Sequence, residues 1–400
     1  MEKTVLEVAV IVLDTAVLCA VLYLVALLLA GVIMRPASPP AAERKRRFAV
    51  VVPARNEERG IALTLESLGN VGYPRALYDI HVIADNCDDA TASVAQQYTP
   101  FVHERVDPTA VGKGQALRWL LDRLSLESYD AVAIVDADSV VSPNFLAVMN
   151  NRLESGCVAV QAYYGVLQPK SLASSLRAIA FCLLHRARRA GLSALGASAG
   201  LAGDGMVFAS DLLRARAWDA FGVTEDLELH AKLVAAGIKV DFASETSVLG
   251  EMPSTLANSR KQNLRWERGR FGLARSYVPR LALAGVRDRD ISKLLTAVDL
   301  ALPPLSIVAL AVALAFVASV ALGSLAAIAL AAASIAGLVC FVAVGLVSAR
   351  APVRLWLALS FAPVYAMWKG WLYAQALVAR GTPSWTRAQR QGEVSSGDRL

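Results

Sequence analysis

Two tracts of this sequence run far longer without a charged side chain than the surface of a water-soluble fold would allow. Thr15 to Met34 is the first and Leu300 to Ser348 the second. An uncharged run of about twenty residues is enough for a helix to cross the roughly 30 Å of a bilayer's hydrocarbon core. The second tract is long enough for two crossings, with Gly323-Ser324 as the natural turn. A third apolar block, Leu355 to Ala379, is interrupted only by Lys369. The chain is 56% hydrophobic yet only 7% aromatic, and the excess sits in these tracts. Between the first two lies a mixed, charged stretch of ordinary globular character.

The charges flanking the tracts set an orientation. Glu43-Arg44-Lys45-Arg46-Arg47 follows the first tract, and basic residues crowd Arg260 to Arg289. Basic flanks mark the cytosolic side. The N-terminus is therefore expected outside and the middle domain in the cytosol, on the inner membrane. A cleaved signal peptide is the rival reading of the first tract. Met1-Glu2-Lys3 lacks a basic n-region, however, and the basic cluster follows the apolar run. The net charge of +6 does not point to nucleic acid, because the basic patches border membrane segments and carry no interleaved aromatic face. One span before the domain and three after would leave the C-terminus outside, yet Arg380 to Arg390 is basic. Either Leu355 to Ala379 is re-entrant or split around Pro363, or the tail breaks the charge rule.

The expected organisation is a transmembrane helix with basic linker (1–47), a catalytic domain (48–257), an interfacial amphipathic segment (258–290), C-terminal membrane helices (291–379) and a basic tail (380–400). Along 268–289 basic residues alternate with Phe271, Leu273, Tyr277, Val278, Leu281 and Leu283. That pattern suits a segment in the headgroup plane, arginines outward. The five cysteines form no CxxC pair or zinc spacing and read as free thiols. The four histidines are scattered and read as structural.

Within the middle domain, Phe48-Ala49-Val50-Val51-Val52-Pro53 is a short β-branched run typical of a buried parallel strand. Helical periodicity follows over Arg59 to Leu68. Ile80 to Ala84 is a second strand, ending in Asp85-Asn86-Cys87-Asp88-Asp89. Helices are expected at Thr91 to Gln97 and Gln115 to Leu124, with a further buried strand at Ala131 to Val135. The alternation predicts an α/β, Rossmann-like, mostly parallel sheet. Ligands in such sheets sit beyond the carboxyl ends of the strands, where each polar cluster falls.

Asp136-Ala137-Asp138 follows one strand directly, and two carboxylates at i and i+2 can converge on Mg²⁺ or Mn²⁺ bound with a diphosphate. A solvated turn is the plain alternative. Asp85 ends a strand where a carboxylate could accept the imide N–H of uracil, while Asp88 or Asp89 would cap the next helix. In Gly112-Lys113-Gly114 the glycines permit close backbone approach and the lysine supplies charge for phosphate, without Walker spacing. Thr224-Glu225-Asp226 opens a helix over Leu227 to Ala236. Asp226 suits a general base, and an acidic helix start is equally good capping chemistry. In Gln262-Asn263-Leu264-Arg265-Trp266, an arginine for a diphosphate and an indole for a sugar ring stand beside the plainer reading of a basic interfacial helix.

Taken in order, Pro53-Ala54-Arg55-Asn56-Glu57-Glu58, Asp85, Gly112-Lys113-Gly114, Asp136-Ala137-Asp138, Thr224-Glu225-Asp226 and Gln262-x-x-Arg265-Trp266 resemble the family 2 glycosyltransferases. The pattern looks most like the membrane-integrated branch that contains cellulose, hyaluronan and other exopolysaccharide synthases. The resemblance implies a GT-A fold, an inverting mechanism, a nucleotide-diphosphate sugar donor and a divalent cation. It implies substrate-binding roles for Pro53, Arg55, Glu57, Lys113, Asp136 and Glu225, with Asp85 toward the base and Asp138 as metal ligand. It makes Asp226 the catalytic base, and gives Gln262, Arg265 and Trp266 the donor diphosphate and the acceptor. Gly203-Asp204-Gly205-Met206-Val207-Phe208 resembles a segment near the acceptor, which adds Asp204. The family's usual Asp-Asp and Gly-Ser after the second strand are here Ala84-Asp85 and Asn86-Cys87. A polysaccharide-type synthase acting on a saccharide acceptor is the expected activity. Single addition onto a membrane lipid, either a polyprenyl carrier or a ceramide-like lipid, is the alternative.

Overall fold

The computed structural model describes residues 2–34, 38–253 and 255–378. The basic tail and residues 35–37 of the basic linker lie outside the described residues. The middle of the chain forms one eight-stranded sheet: β1 (Phe48–Ala54), β2 (Tyr78–Asp85), β3 (Val102–Arg105), β4 (Ala131–Ile134), β5 (Ser139–Val141), β6 (Ala159–Val166), β7 (Met206–Ala209) and β8 (Asp241–Gly250). The order is β3-β2-β1-β4-β7-β6-β8-β5. β3, β2, β1 and β4 are parallel, and β7 then runs antiparallel to both β4 and β6. The sheet is therefore mixed, with the expected parallel half at one end.

β1 shows why that half forms. Phe48 to Val52 are wholly inaccessible, and the two-residue period divides them between two helical layers. Phe48, Val50 and Val52 pack with Ile61, Leu65 and Leu68 of one helix and with Phe145, Leu146 and Met149 of another. Ala49 and Val51 face the opposite way, onto Ala116, Leu117 and Leu120, with Leu229 and Leu233 in the same cluster. Both faces are covered, so every position tolerates an apolar residue.

Among the described residues, three helices are long and apolar enough to cross a membrane: Val5–Ile33, within the helix Glu2–Ile33, then Leu305–Leu322 and Leu325–Ser348. The turn between the last two falls at Gly323-Ser324, as the sequence predicts. The third apolar block is split into a helix Val353–Ala358, a 3₁₀ turn Leu359–Phe361 and a helix Ala362–Val378. The break directly precedes Pro363, which sits in a first turn where its missing N–H costs nothing. The N-terminal helix is locked to the middle domain at Gly191, where an added Cβ would lie 2.0 Å from the Leu27 carbonyl oxygen.

The segment expected at the interface is one 33-residue helix, Leu256–Asp288, with Pro279 inside it. It packs on the helices Ile291–Ala301 and Ala362–Val378. Not all of its arginines turn outward. Arg270 reaches inward, where Nη2 donates to the carbonyls of Asp299 at 2.8 Å and of Leu302.

Candidate active site

The carboxyl ends of β1, β2 and β4 open onto a cavity of about 1060 Å³. The loops leaving β1 and β2 are stitched together: Glu57 N donates to Thr91 Oγ1 at 2.7 Å, and Asp88 N donates to Asn56 Oδ1 at 3.0 Å. The N-cap of the next helix falls at Ala90 and not at Asp88 or Asp89; Asp89 braces that turn from one residue before, its Oδ1 accepting from Thr91 N at 2.9 Å. Asp85 ends β2 in a buried ion pair with Arg105, 2.5 Å away, and also accepts from Asn86 Nδ2. Burial pushes the Asp85 carboxyl up, against the pull of Arg105. Arg105 itself holds the next loop through Asp107 and the Ala110 carbonyl. That loop leads to Gly112.

Lys113 opens the helix Lys113–Leu121, and its Nζ donates to the Asp136 carboxylate and the Gly203 carbonyl. The second glycine of the motif serves packing. An added Cβ on Gly114 would lie 2.1 Å from the Ala220 carbonyl oxygen, so the close approach is to the loop before Thr224 rather than to a ligand. Asp204 is fully buried behind Asp136. Its Oδ1 accepts from Asp136 N at 3.0 Å and its Oδ2 from Ser139 Oγ at 2.6 Å. Gln161 in turn donates to the Asp204 carbonyl at 2.7 Å and accepts from Ala202 N. Asp204 thus fixes the turn that presents Asp136 and Asp138.

Glu225 and Asp226 lie in the first turn of the helix Glu225–Ala235, the electropositive end. Asp226 sits against Gly203, the residue whose carbonyl Lys113 grips. The carboxylates therefore converge, and their protonation reports it. Asp204 is pushed up to about 8 by burial and by Asp136, and Glu225 to about 7 by burial and Asp226, against Lys113. Burial raises Asp136 too, with Lys113 opposing and Asp138 and Asp226 adding. Asp226 is raised by burial and held down by the Leu227 N–H, Lys113 and Arg189. Lys113 gains the counterpart: burial works against its charge, and Asp136, Glu225 and Asp204 outweigh it.

This excess of carboxylate is the chemistry a divalent cation would meet. Among the described residues no group of three or more His, Cys, Asp or Glu side chains converges as a complete metal cage. A hard cation held by one or two carboxylates and completed by substrate phosphates fits such a donor set.

Gln262, Arg265 and Trp266 project from the long helix into the same cavity. Burial lowers the pKa of Arg265, with Glu225 opposing. The motif is braced from two sides. Arg177 Nη1 donates to Gln262 Oε1 at 3.0 Å, and its guanidinium carbon lies 5.7 Å from the centre of the Trp266 ring. From the C-terminal helix, Lys369 Nζ donates to Asn263 Oδ1 at 2.9 Å and Glu267 Oε1 at 2.7 Å.

Pro53, Arg55, Glu57, Asp85, Lys113, Asp136, Asp138, Glu225, Asp226, Gln262, Arg265 and Trp266 all line this cavity, while Asp204 stands behind its wall. Sequence reasoning missed Arg177, Arg188, Arg189 and Tyr164, which also line it. The run His185-Arg186-Ala187-Arg188-Arg189 was the available signal, a dense basic cluster far from any apolar tract. The cavity then continues between the apolar helices, past Leu305, Ala309, Val339, Val342 and Trp356.

A family model described as "Glycosyltransferase like family 2" matches residues 45–269. Among curated proteins, the chain is 24% identical over 234 residues to "Probable glycosyltransferase YdaM" of Bacillus subtilis, covering 56% of this chain and 55% of that one. It is 27% identical over 229 residues to "Beta-monoglucosyldiacylglycerol synthase" of Trichormus variabilis, covering 56% and 48%. The chain thus spans about half the length of the curated relatives it matches. Among solved structures it resembles the mannosyltransferase PcManGT of Pyrobaculum calidifontis, in complex with GDP-Man and Mn²⁺, at 20% identity and a TM-score of 0.61. That likeness covers 93% of this chain and 99% of the other, and it is one of fold: a GT-A domain carried with apolar helices.

Proposed function

The chain belongs to the family 2-like glycosyltransferases, and from that premise we propose that it moves a sugar from a nucleotide-diphosphate sugar onto a hydroxyl of a membrane-embedded lipid. The observation that carries this reading is the single cavity running from the carboxylates at the sheet's edge to the side chains of the apolar helices. A nucleotide sugar has no use for the apolar end; a lipid acceptor does. The name of the Trichormus relative, a diacylglycerol glucoside synthase, agrees. The exopolysaccharide reading rests on Gln262-x-x-Arg265-Trp266, and a saccharide acceptor would leave the apolar end without a role.

In this reading residues 48–257 are the catalytic domain, on the cytosolic face of the inner membrane, and the long helix lies where that face meets the lipid. The nucleotide lies over β1 and β2, between Pro53, Arg55, Glu57 and Asp85. Asp85 Oδ1 is committed to Arg105 and Asn86, so a uracil imide would be met by Oδ2. Asp226 takes the proton of the acceptor hydroxyl as its oxygen bonds to the anomeric carbon. The bond from that carbon to the diphosphate breaks on the opposite side, and the electron pair leaves with the nucleoside diphosphate, inverting the centre. Arg265 and Lys113 receive the charge on the departing diphosphate. Mg²⁺ or Mn²⁺, held by Asp138 with Asp136 in support, would supply further charge neutralisation there.

The test is a panel of UDP- and GDP-sugars with Mg²⁺ or Mn²⁺, presented with lipid and saccharide acceptors, scored by nucleotide release and product mass. Sugar recovered on lipid supports the reading. Elongation of a saccharide in lipid-free detergent would replace it with the polymer reading.

A further inference from the structure

Burying a guanidinium in a largely apolar wall is costly unless an anion meets it. Arg177, Arg188, Arg189 and Arg270 all line the cavity where the catalytic domain gives way to the apolar helices. Three of them, Arg177, Arg188 and Arg189, come from one irregular helix. Between the α-helices Leu172–Phe181 and Arg188–Ala194 the chain makes a π-helical turn, Cys182–Ala187. Such turns are rare and cluster at functional sites. The register change comes immediately before Arg188 and Arg189. The same helix is pinned to the N-terminal apolar helix by the contact of Gly191 with Leu27, so the arginines are held at the membrane junction.

The carboxylates in reach do not balance them. Arg188 Nη1 lies 3.1 Å from Asp299, whereas Glu267 is committed to Lys369. Arg270 is spent on the carbonyls of Asp299 and Leu302, and Arg177 on Gln262. Arg189 is the telling residue. It is only 5% exposed, Nη2 donates to the Leu201 carbonyl at 2.9 Å, and Nε and Nη1 have no hydrogen-bond partner. Burial and Arg188 lower its pKa to about 9, with Asp226 the first group in its favour. Nε and Nη1 lie on opposite sides of the guanidinium, and either can pair with the second N–H of Nη2 to meet two oxygens of a phosphate or carboxylate.

Resting on the lipid-acceptor reading above, we propose that Arg189, supported by Arg188, binds a phosphate in the headgroup of the acceptor lipid and so holds the accepting hydroxyl beside Asp226. The acceptor is then an anionic phospholipid with a free hydroxyl, not a neutral diacylglycerol. Its chains lie along Leu305, Ala309 and Val342, and its headgroup phosphate occupies the cationic collar between them and the carboxylates.

Binding tests this without turnover, because Trp266 and Trp356 line the cavity and report occupancy by fluorescence. The full-length protein in detergent is titrated with dioctanoyl phosphatidylglycerol and with dioctanoylglycerol, matched in chains and differing in the phosphate-bearing headgroup. The phospholipid is expected to bind about tenfold to a hundredfold more tightly, the worth of one or two charge-assisted hydrogen bonds. Arg189→Gln is expected to close most of that gap and leave the affinity for dioctanoylglycerol unchanged. Equal affinity of the two lipids for the unsubstituted protein would overturn the proposal, and that comparison needs no variant to fold. So would displacement of the phospholipid by UDP, which would assign the guanidinium to the donor's diphosphate, or by an equal concentration of inorganic phosphate, which would make the site one for a free anion. If UDP binds and neither lipid does, the lipid-acceptor reading itself has failed.

Discussion

At the sheet end of the cavity Asp136, Asp204 and Glu225 act on Lys113, with Asp138 beside Asp136, whereas at the far end Arg177, Arg188, Arg189 and Arg270 outnumber Asp299 and Glu267; Asp226, acted on by both Lys113 and Arg189, stands at the boundary. The two ends also differ in construction. Strand ends and a buried hydrogen-bond chain through Gln161, Asp204 and Ser139 hold the carboxylates, so their positions follow from the sheet. The arginines sit on helices packed against the apolar helices, and their positions depend on helix packing. In the proposed function, opposite charge at the two ends would sort two ligands: a cation with a diphosphate at one, a lipid headgroup at the other.

Substitutions at the boundary and at each end can break or sharpen that division. The largest effect is expected at the boundary. Asp226→Asn keeps the shape but accepts no proton, so turnover should fall roughly 10²- to 10⁴-fold while donor affinity holds. Weakened donor binding with turnover intact would return the residue to a structural role. Next comes the sheet end: EDTA or Asp138→Ala should cut transfer by roughly 10²-fold or more, with Mn²⁺ or Mg²⁺ restoring the chelated enzyme but not the variant. Full activity of Asp138→Ala would remove the metal from this end. A smaller effect, about tenfold, should separate the two residues that face both ways. Arg265→Ala should raise KM for the nucleotide sugar, and Trp266→Ala should act on acceptor use. Identical profiles would erase the division. The smallest change leaves chemistry aside. Gly114→Ala forces a side chain toward the Ala220 carbonyl and should lower stability by about 1–3 kcal/mol, read by thermal unfolding. An unchanged Tm would show that the loop before Thr224 has room to move.

The same division explains what the sequence made legible. β1, β2 and β4 read clearly because both faces of a parallel strand are covered, which leaves uninterrupted β-branched runs such as Phe48 to Val52. β8, Asp241–Gly250, carries Asp, Ser, Glu and Thr because it pairs toward the edge, and no strand pattern survives there. The carboxylates were legible because each follows a strand or opens a helix. The role of Asp204 was not, since its partners, Asp136 N and Ser139, are sixty-five or more residues away in sequence. The arginines misled for a physical reason. Basic residues beside apolar tracts normally mark solvated membrane flanks, and nothing local in the sequence distinguishes Arg270 turned inward from Arg280 on the same helix.

The central claim is that one cavity connects the carboxylates to the bilayer, and lipid photolabelling tests it most directly. The full-length protein in nanodiscs would carry a trace of phospholipid with a photoreactive acyl chain, and the labelled peptides would be mapped by mass spectrometry. The account predicts adducts at the cavity-lining positions Leu305, Ala309, Val342 and Trp356, lost when unlabelled acceptor lipid is added in excess. Adducts confined to outward residues such as Val317 and Val347, insensitive to that excess, would contradict it.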